Sequence, residues 1–373
     1  MTNTSARQLC VGVAHVDMAM LTEQAPRLVR GHLQATLLAC AASVFLCQGV
    51  ALAQEPKTGG AANNVEYSVL STKAVHGLLL GIARAGTRLV AVGERGHILY
   101  SDDNGANWTQ AQVPTRQVLT AVHFVDAQNG WAVGYDKLIL HSADGGESWQ
   151  VQYSDSKTED GAPLLDLLFT DEKTGFAIGA YGALYSTTDA GKHWQDVSDW
   201  LDNPDGYHLN AIAQTADGSL FIVGESGVIF RSRTKGLTWE SVPSPYDGSL
   251  FGVLGTGKSG GVLVFGLRGH IYNSTDWGND WQRVAVQASA GKPMEYGLAS
   301  GLRTSDGRIF LVGHGGTLLQ SRDQGQSFQI EPRADLLSLS QLALAANGNL
   351  VIVGQSGVLV TAADGKELTV SQR

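Results

Sequence analysis

The chain is short of cysteine, charge and metal-ligand patterns, and each shortage excludes a class of function. Its three cysteines, Cys10, Cys40 and Cys47, all precede residue 54. Residues 54–373 therefore carry no thiol nucleophile, no disulfide and no cysteine-ligated metal. The 10 histidines show neither H-x-H nor H-E-x-x-H spacing, so no metal site is assigned. Charged residues make up only 16% of the chain, and its net charge is −9. An acidic chain without a basic run is a poor ligand for nucleic acid. After residue 53 no segment is apolar enough to span a bilayer, and no cofactor is assigned.

The first 53 residues read as a segment for export. Arg27 and Arg30 precede an apolar stretch from Leu33 to Cys47, and Ala51-Leu52-Ala53 has the small-x-small pattern of a signal peptidase site. The apolar core is short for a span of about 20 residues. Cleavage is expected after Ala53, giving a periplasmic or secreted protein. Leu37-Leu38-Ala39-Cys40 departs from a lipoprotein box at Leu38, so lipidation is not expected. Losing Arg7, Arg27, Arg30, Asp17 and Glu23 moves the net charge from −9 to −10. Residues 54–64 read as a flexible linker, and 65–373 as one domain.

What the chain has is glycine, 46 of them, at fixed offsets from a recurring phrase. Ser101 to Trp108 reads S-x-D-x-G-x-x-W, and the phrase returns at Ser142 to Trp149 and Ser274 to Trp281. Thr187 to Trp194 and Ser321 to Phe328 each carry one conservative change. Ser232 to Trp239 has Thr234 in place of the aspartate, and a worn copy lies at Thr361 to Gly365. Before each phrase an apolar segment ends in glycine: Gly93, Gly134, Gly179, Gly224, Gly266, Gly313 and Gly354. Their spacings are 41, 45, 45, 42, 47 and 41 residues. Seven copies at this period predict an all-β chain, a seven-bladed β-propeller with four-stranded antiparallel blades. The G-x-x-G element after each segment predicts a two-residue hairpin between strands B and C, with glycine supplying the positive φ. Lys137 replaces the last glycine in the second copy, so a different turn is expected there.

The repeated phrase falls on the turn from strand C to strand D. An aspartate there accepts backbone N–H groups, and the following aromatic packs between sheets. The residues Asp103, Trp108, Asp144, Trp149, Asp189, Trp194, Asp276, Trp281, Asp323 and Phe328 are therefore read as structural. Carboxylates at one repeated position are not separate active sites. The segment Val65 to Leu70 is expected to pair in the last blade and close the ring, since only Glu367 to Val370 remain there for an outer strand.

The phrase is the Asp-box, or BNR repeat, found in sialidases and other propellers. The whole unit, carried best by Gly130 to Gly134 and Gly175 to Gly179, resembles the photosystem II stability/assembly factor (Ycf48-like) family over roughly residues 65–373. The resemblance implies a seven-bladed propeller without catalytic activity, which binds a protein and helps assemble or stabilise a membrane complex. Relatives outside photosynthesis imply a membrane or periplasmic partner, such as an exporter of the resistance-nodulation-division (RND) type. The chain is expected to be monomeric.

Function is expected on the face that carries the B–C turns and the long D–A connections, including 154–160, 203–208 and 292–296. The B–C tips differ between copies: Glu94 and Arg95, Tyr135 and Asp136, Tyr181, Glu225, Arg268, His314. Mixed polar and aromatic tips suit a protein partner. The alternative is a secreted carbohydrate-active propeller, either sialidase-like glycosidase or lectin. No Arg-Ile-Pro segment precedes the first Asp-box, and nothing marks Glu94 and Glu225 as a catalytic carboxylate pair. No catalytic residue is assigned.

Overall fold

A computed structural model describes residues 65–366 and 368, except 156–160, 288–294, 332 and 334. The expected signal segment, the linker and most of the last outer strand lie outside the described residues. Within them the chain forms seven antiparallel sheets in sequence order, a seven-bladed propeller. Blade 1 comprises strands A (Leu79–Ala85), B (Arg88–Gly93), C (Ile98–Ser101) and D (Thr109–Gln110). Strand A of blades 2 to 7 spans Leu119–Phe124, Leu164–Phe169, Leu209–Gln214, Leu250–Gly255, Leu298–Arg303 and Leu339–Leu344. Blade 6 gains a fifth strand, Ala285–Gln287, parallel to Ser327–Ile330. Among the described residues blade 7 has three strands.

Strand B is buried along its whole length in blades 2 to 7, as in Leu220–Gly224 and Leu350–Gly354. Both faces of each blade are covered by neighbours, which is why these strands read as continuous apolar runs. Seven apolar clusters form, one at each junction between adjacent blades. Trp131 of blade 2 illustrates the packing: it stacks on Phe169 of blade 3 with ring centroids 3.6 Å apart.

The glycine that ends strand B has a different reason from the one expected for turns. In every blade the pairing of A with B slips just after the first residue of strand A. There the carbonyl of the residue before strand A crowds the glycine. A Cβ on Gly93, Gly134, Gly179, Gly224, Gly266, Gly313 or Gly354 would lie 2.1–2.3 Å from that oxygen. The same carbonyl accepts the next N–H, as in Glu94 N to Leu78 O at 3.0 Å and Glu225 N to His208 O at 2.9 Å. Close approach of backbone, not positive φ, demands glycine here.

The B–C hairpin of blade 1 has two left-handed residues, Arg95 (φ 57) and Gly96 (φ 69), and His97 N–H donates to Glu94 O. This is a type I′ turn. The second blade was expected to differ, and it does not: Asp136 (φ 59) and Lys137 (φ 50) take the same path. Lys137 N–H donates to Ala162 O at 3.0 Å, and Asp155 N–H to Asp136 O at 2.9 Å. Tertiary bonds hold the strained lysine in place. The seventh turn departs instead, with only Gly357 left-handed.

Closure of the ring also corrects the expectation. Val65 to Leu70 forms no strand and runs beside blade 1, with Ser68 N–H donating to Val113 O at 2.8 Å. The next segment, Ala74–His76, packs on strand C of blade 7 (Gly357–Thr361). A Cβ on Gly357 would lie 1.9 Å from Val75 O, just as one on Gly96 would lie 2.2 Å from Thr115 O in the D–A loop of blade 1. Residues 74–76 thus take the place of a D–A loop for blade 7. Side chains finish the seam: Gln341 Oε1 accepts Ile82 N–H at 2.7 Å, and Asn104 Oδ1 accepts Asn347 N–H at 3.0 Å.

Candidate partner-binding face

The Asp-boxes occupy the face opposite the B–C turns and behave as fasteners. In the first, Ser101 Oγ accepts Gly105 N–H at 2.9 Å and donates to Asp103 Oδ1, which also accepts Asn107 N–H at 2.8 Å. The same net recurs around Asp144, Asp189, Asp276 and Asp323. These bonds favour the ionised form. The backbone N–H of Asn107 holds Asp103 below its usual range, and His193 draws Asp189 down to about 2. In blade 4 the hydroxyl of Thr234 does the same work, accepting Thr238 N–H at 2.9 Å. The indole N–H groups of Trp108, Trp149 and Trp239 donate to the glycine carbonyl of their own box. Those of Trp194 and Trp281 have no partner in the structure.

A central channel of about 350 Å³ is lined by strand A from all seven blades. Its polar side chains join one blade to the next. Thr120 Oγ1 donates to Leu164 O at 2.6 Å, Asn210 Nδ2 to Leu250 O at 2.8 Å, and Asp166 Oδ2 accepts Ile212 N–H at 3.0 Å. Burial pushes the Asp166 carboxyl up to about 7 against two backbone N–H bonds, and pushes His123 down to about 4. Among the described residues no three His, Cys, Asp or Glu converge as metal ligands.

All eight residues expected at the tips lie on the one face, distributed around the ring rather than gathered in a pocket. Glu94 and Glu225 are tied down: Glu94 Oε1 accepts Leu78 N–H at 3.3 Å, and Glu225 Oε2 accepts His208 N–H at 3.3 Å. Asp136 accepts the Gln117 amide. His314 is exposed, and its backbone is fastened by N–H donation to Gly297 O. Arg95 and Arg268 are exposed and left-handed, at φ 57 and 55. Tyr135 and Tyr181 present their rings outward, 43% and 67% exposed.

The tip residues are joined by neighbours that sequence reasoning passed over. Leu78, Leu267, Tyr296, Leu336 and Leu337 are exposed in the same loops and turns. Their signal was position: each follows a strand B glycine or lies in the run leading into strand A. Near Arg268, Tyr246 packs on His270 with ring centroids 4.3 Å apart. Burial, then Arg283 and Arg268, lowers the pKa of His270 below the usual histidine value.

Comparison with known proteins identifies the group. The profile of the family described as "Photosynthesis system II assembly factor YCF48" matches residues 100–162 and 150–301, more than half of the chain. The chain belongs to this Ycf48-like family. It is similar to the photosystem II stability/assembly factor HCF136 of Cyanidioschyzon merolae, 34% identical over 91 residues, which is 22% of this chain and 20% of that protein. It is also similar to the photosystem II assembly lipoprotein Ycf48 of Prochlorococcus marinus, 35% identical over 60 residues, 16% and 18% of the two chains. The matched segments thus span about a fifth of these relatives. A solved structure of YCF48 bound to a D1 peptide superposes with a TM-score of 0.61 at 20% identity, covering 79% of this chain and 93% of that one. At that identity the superposition shows the shared fold.

Proposed function

We propose that this chain is an exported, non-catalytic assembly or stability factor that holds a partner protein on the face of its B–C turns. The observation that carries the reading is where the blades differ. The Asp-box net and the strand B glycine recur almost unchanged, while the tips present Arg95, Tyr135, Tyr181, Arg268 and exposed leucines. Aromatic and arginine side chains are the ones that most often anchor protein interfaces. The carboxylates nominally available to a glycosidase, Glu94 and Glu225, are engaged with backbone N–H groups. The related structure binds a peptide of D1, which supports a segment of a membrane protein as the class of partner. An RND-type exporter is one such client.

Capture from detergent-solubilised membranes with the tagged chain tests the proposal. Arg95→Ala, Tyr181→Ala and Arg268→Ala combined should reduce recovery of the partner at least tenfold while leaving the fold intact. Undiminished recovery would move the site off this face. Turnover of aryl glycosides by the purified protein would replace the reading with a carbohydrate-active one.

A further inference from the structure

Tyr181 is the most exposed aromatic side chain among the described residues, and its backbone is held in a way no other tip shares. It is left-handed (φ 56, ψ 32), a costly conformation for a bulky residue. Its N–H donates to Nδ1 of His208 at 3.0 Å, and its ring meets the imidazole edge-on with centroids 5.0 Å apart. His208 lies in the connection to the next blade, immediately before strand A of blade 4. Among the described residues no other left-handed tip has a side-chain acceptor on the equivalent amide. An Nδ1 that accepts must be unprotonated, so the neutral ring carries its hydrogen on Nε2. The groups shown against it are the Tyr181 amide and ring from blade 3 and Glu225 from blade 4. Glu225 Oε2 accepts His208 N–H and lies 3.9 Å from Nδ1.

We propose that His208 is a positioning residue for this face: its neutral imidazole holds Tyr181 as a preset aromatic anchor, and protonation at Nδ1 lets the anchor go. This deepens the partner-binding reading and rests on it only for its biological use. A proton added to Nδ1 removes the lone pair that accepts Tyr181 N–H and turns that nitrogen into a donor facing Glu225. The tip then loses the bond that ties its amide to the loop of the next blade. Contact through Tyr181 therefore becomes sensitive to the protonation of His208, as preorganisation of an anchor is lost before any contact with the partner is made.

The test needs no partner. The chain has 10 tyrosines, so selective ¹⁵N-tyrosine labelling gives a sparse amide spectrum, and Tyr181→Phe assigns the signal. On lowering pH from 8 to 5, the Tyr181 amide should shift in step with the His208 ring protons. Its protection from exchange, corrected for intrinsic pH dependence, should fall at least tenfold. His208→Ala should show the acid spectrum at pH 8. His208→Asn, whose Oδ1 sits where Nδ1 does, should keep the high-pH position and lose the pH dependence. A Tyr181 amide that stays fixed while His208 titrates overturns the proposal, as does an unchanged amide in His208→Ala. The expected spectra together with undiminished partner capture by the Arg95, Tyr181 and Arg268 triple variant would instead count against the choice of face and leave the His208–Tyr181 contact standing.

Discussion

Seven glycines, from Gly93 to Gly354, end strand B at the point where the backbone entering strand A crosses it. A methyl group on Gly224 would meet the His208 carbonyl at 2.2 Å, and neither backbone can yield without opening the blade. Gly224→Ala should therefore cost about 3 kcal/mol or more in chemical denaturation. Gly307→Ala has open space around it and only a positive φ of 88 to accommodate, so it should cost roughly 1 kcal/mol. Equal losses would mean that φ, not crowding, selects these glycines. The Asp-box offers a second comparison. Thr234 shows that a hydroxyl can replace the carboxylate as acceptor. Asp144→Ala should cost about 1–2 kcal/mol, and Asp144→Thr distinctly less. The depressed carboxyls add a pH signature. Asp189, held at about 2, contributes stability that is complete above its unfolded value of about 4 and is lost as pH falls toward 2. Thermal melts from pH 5 to pH 2 should show that loss, and Asp189→Thr should reduce it.

At the scale of elements, strand B and the C–D turn were legible in the sequence because each is set by local pattern. Continuous apolar runs bounded by glycine mark the strand, and the eight-residue phrase marks the turn. The second B–C turn was misread because Lys137 looks incompatible with a left-handed position. Its bonds to the next loop, at Ala162, override the preference. The parallel strand Ala285–Gln287 gave no signal of its own, since it exists only by lying against Ser327–Ile330. The start of the propeller was misread for the same reason. Val65 to Leu70 has strand composition, yet it serves blade 1 as an irregular segment, and Ala74–His76 makes the contact with blade 7. Truncation through His76 should thus lower the melting temperature well beyond truncation through Leu70. Equal melting temperatures for the two would place closure elsewhere.

The whole molecule is a ring in which every blade depends on the next, and the channel shows it most directly. Thr120, Asp166, Asn210 and Gln341 each bond the backbone of the following blade. Asp166 has its carboxyl raised to about 7, so the folded state binds a proton that the unfolded chain has released by then. Its contribution to stability therefore falls as pH rises from about 4 through 7. Asp166→Asn should flatten that part of the stability profile in denaturant titrations, and an unchanged slope would remove Asp166 as its source. The B–C tips are also a whole-molecule feature. Eight residues spread over some 220 positions of sequence share one face because six similar blades present the same corner of the unit. Tyr181 and His208, 27 residues apart, belong to different blades and meet only at the seam.

The sequence by itself determined the repeat, the number of blades, the structural role of the Asp-boxes and the face on which variation collects. Those features depend on local periodicity and on residues near one another in the chain. Only the tertiary structure decided how the ring closes, why strand B must end in glycine, which tip charges are engaged and that an imidazole holds Tyr181. Each of these arises where backbone from one blade presses on its neighbour, at distances and angles that the order of residues along the chain does not encode.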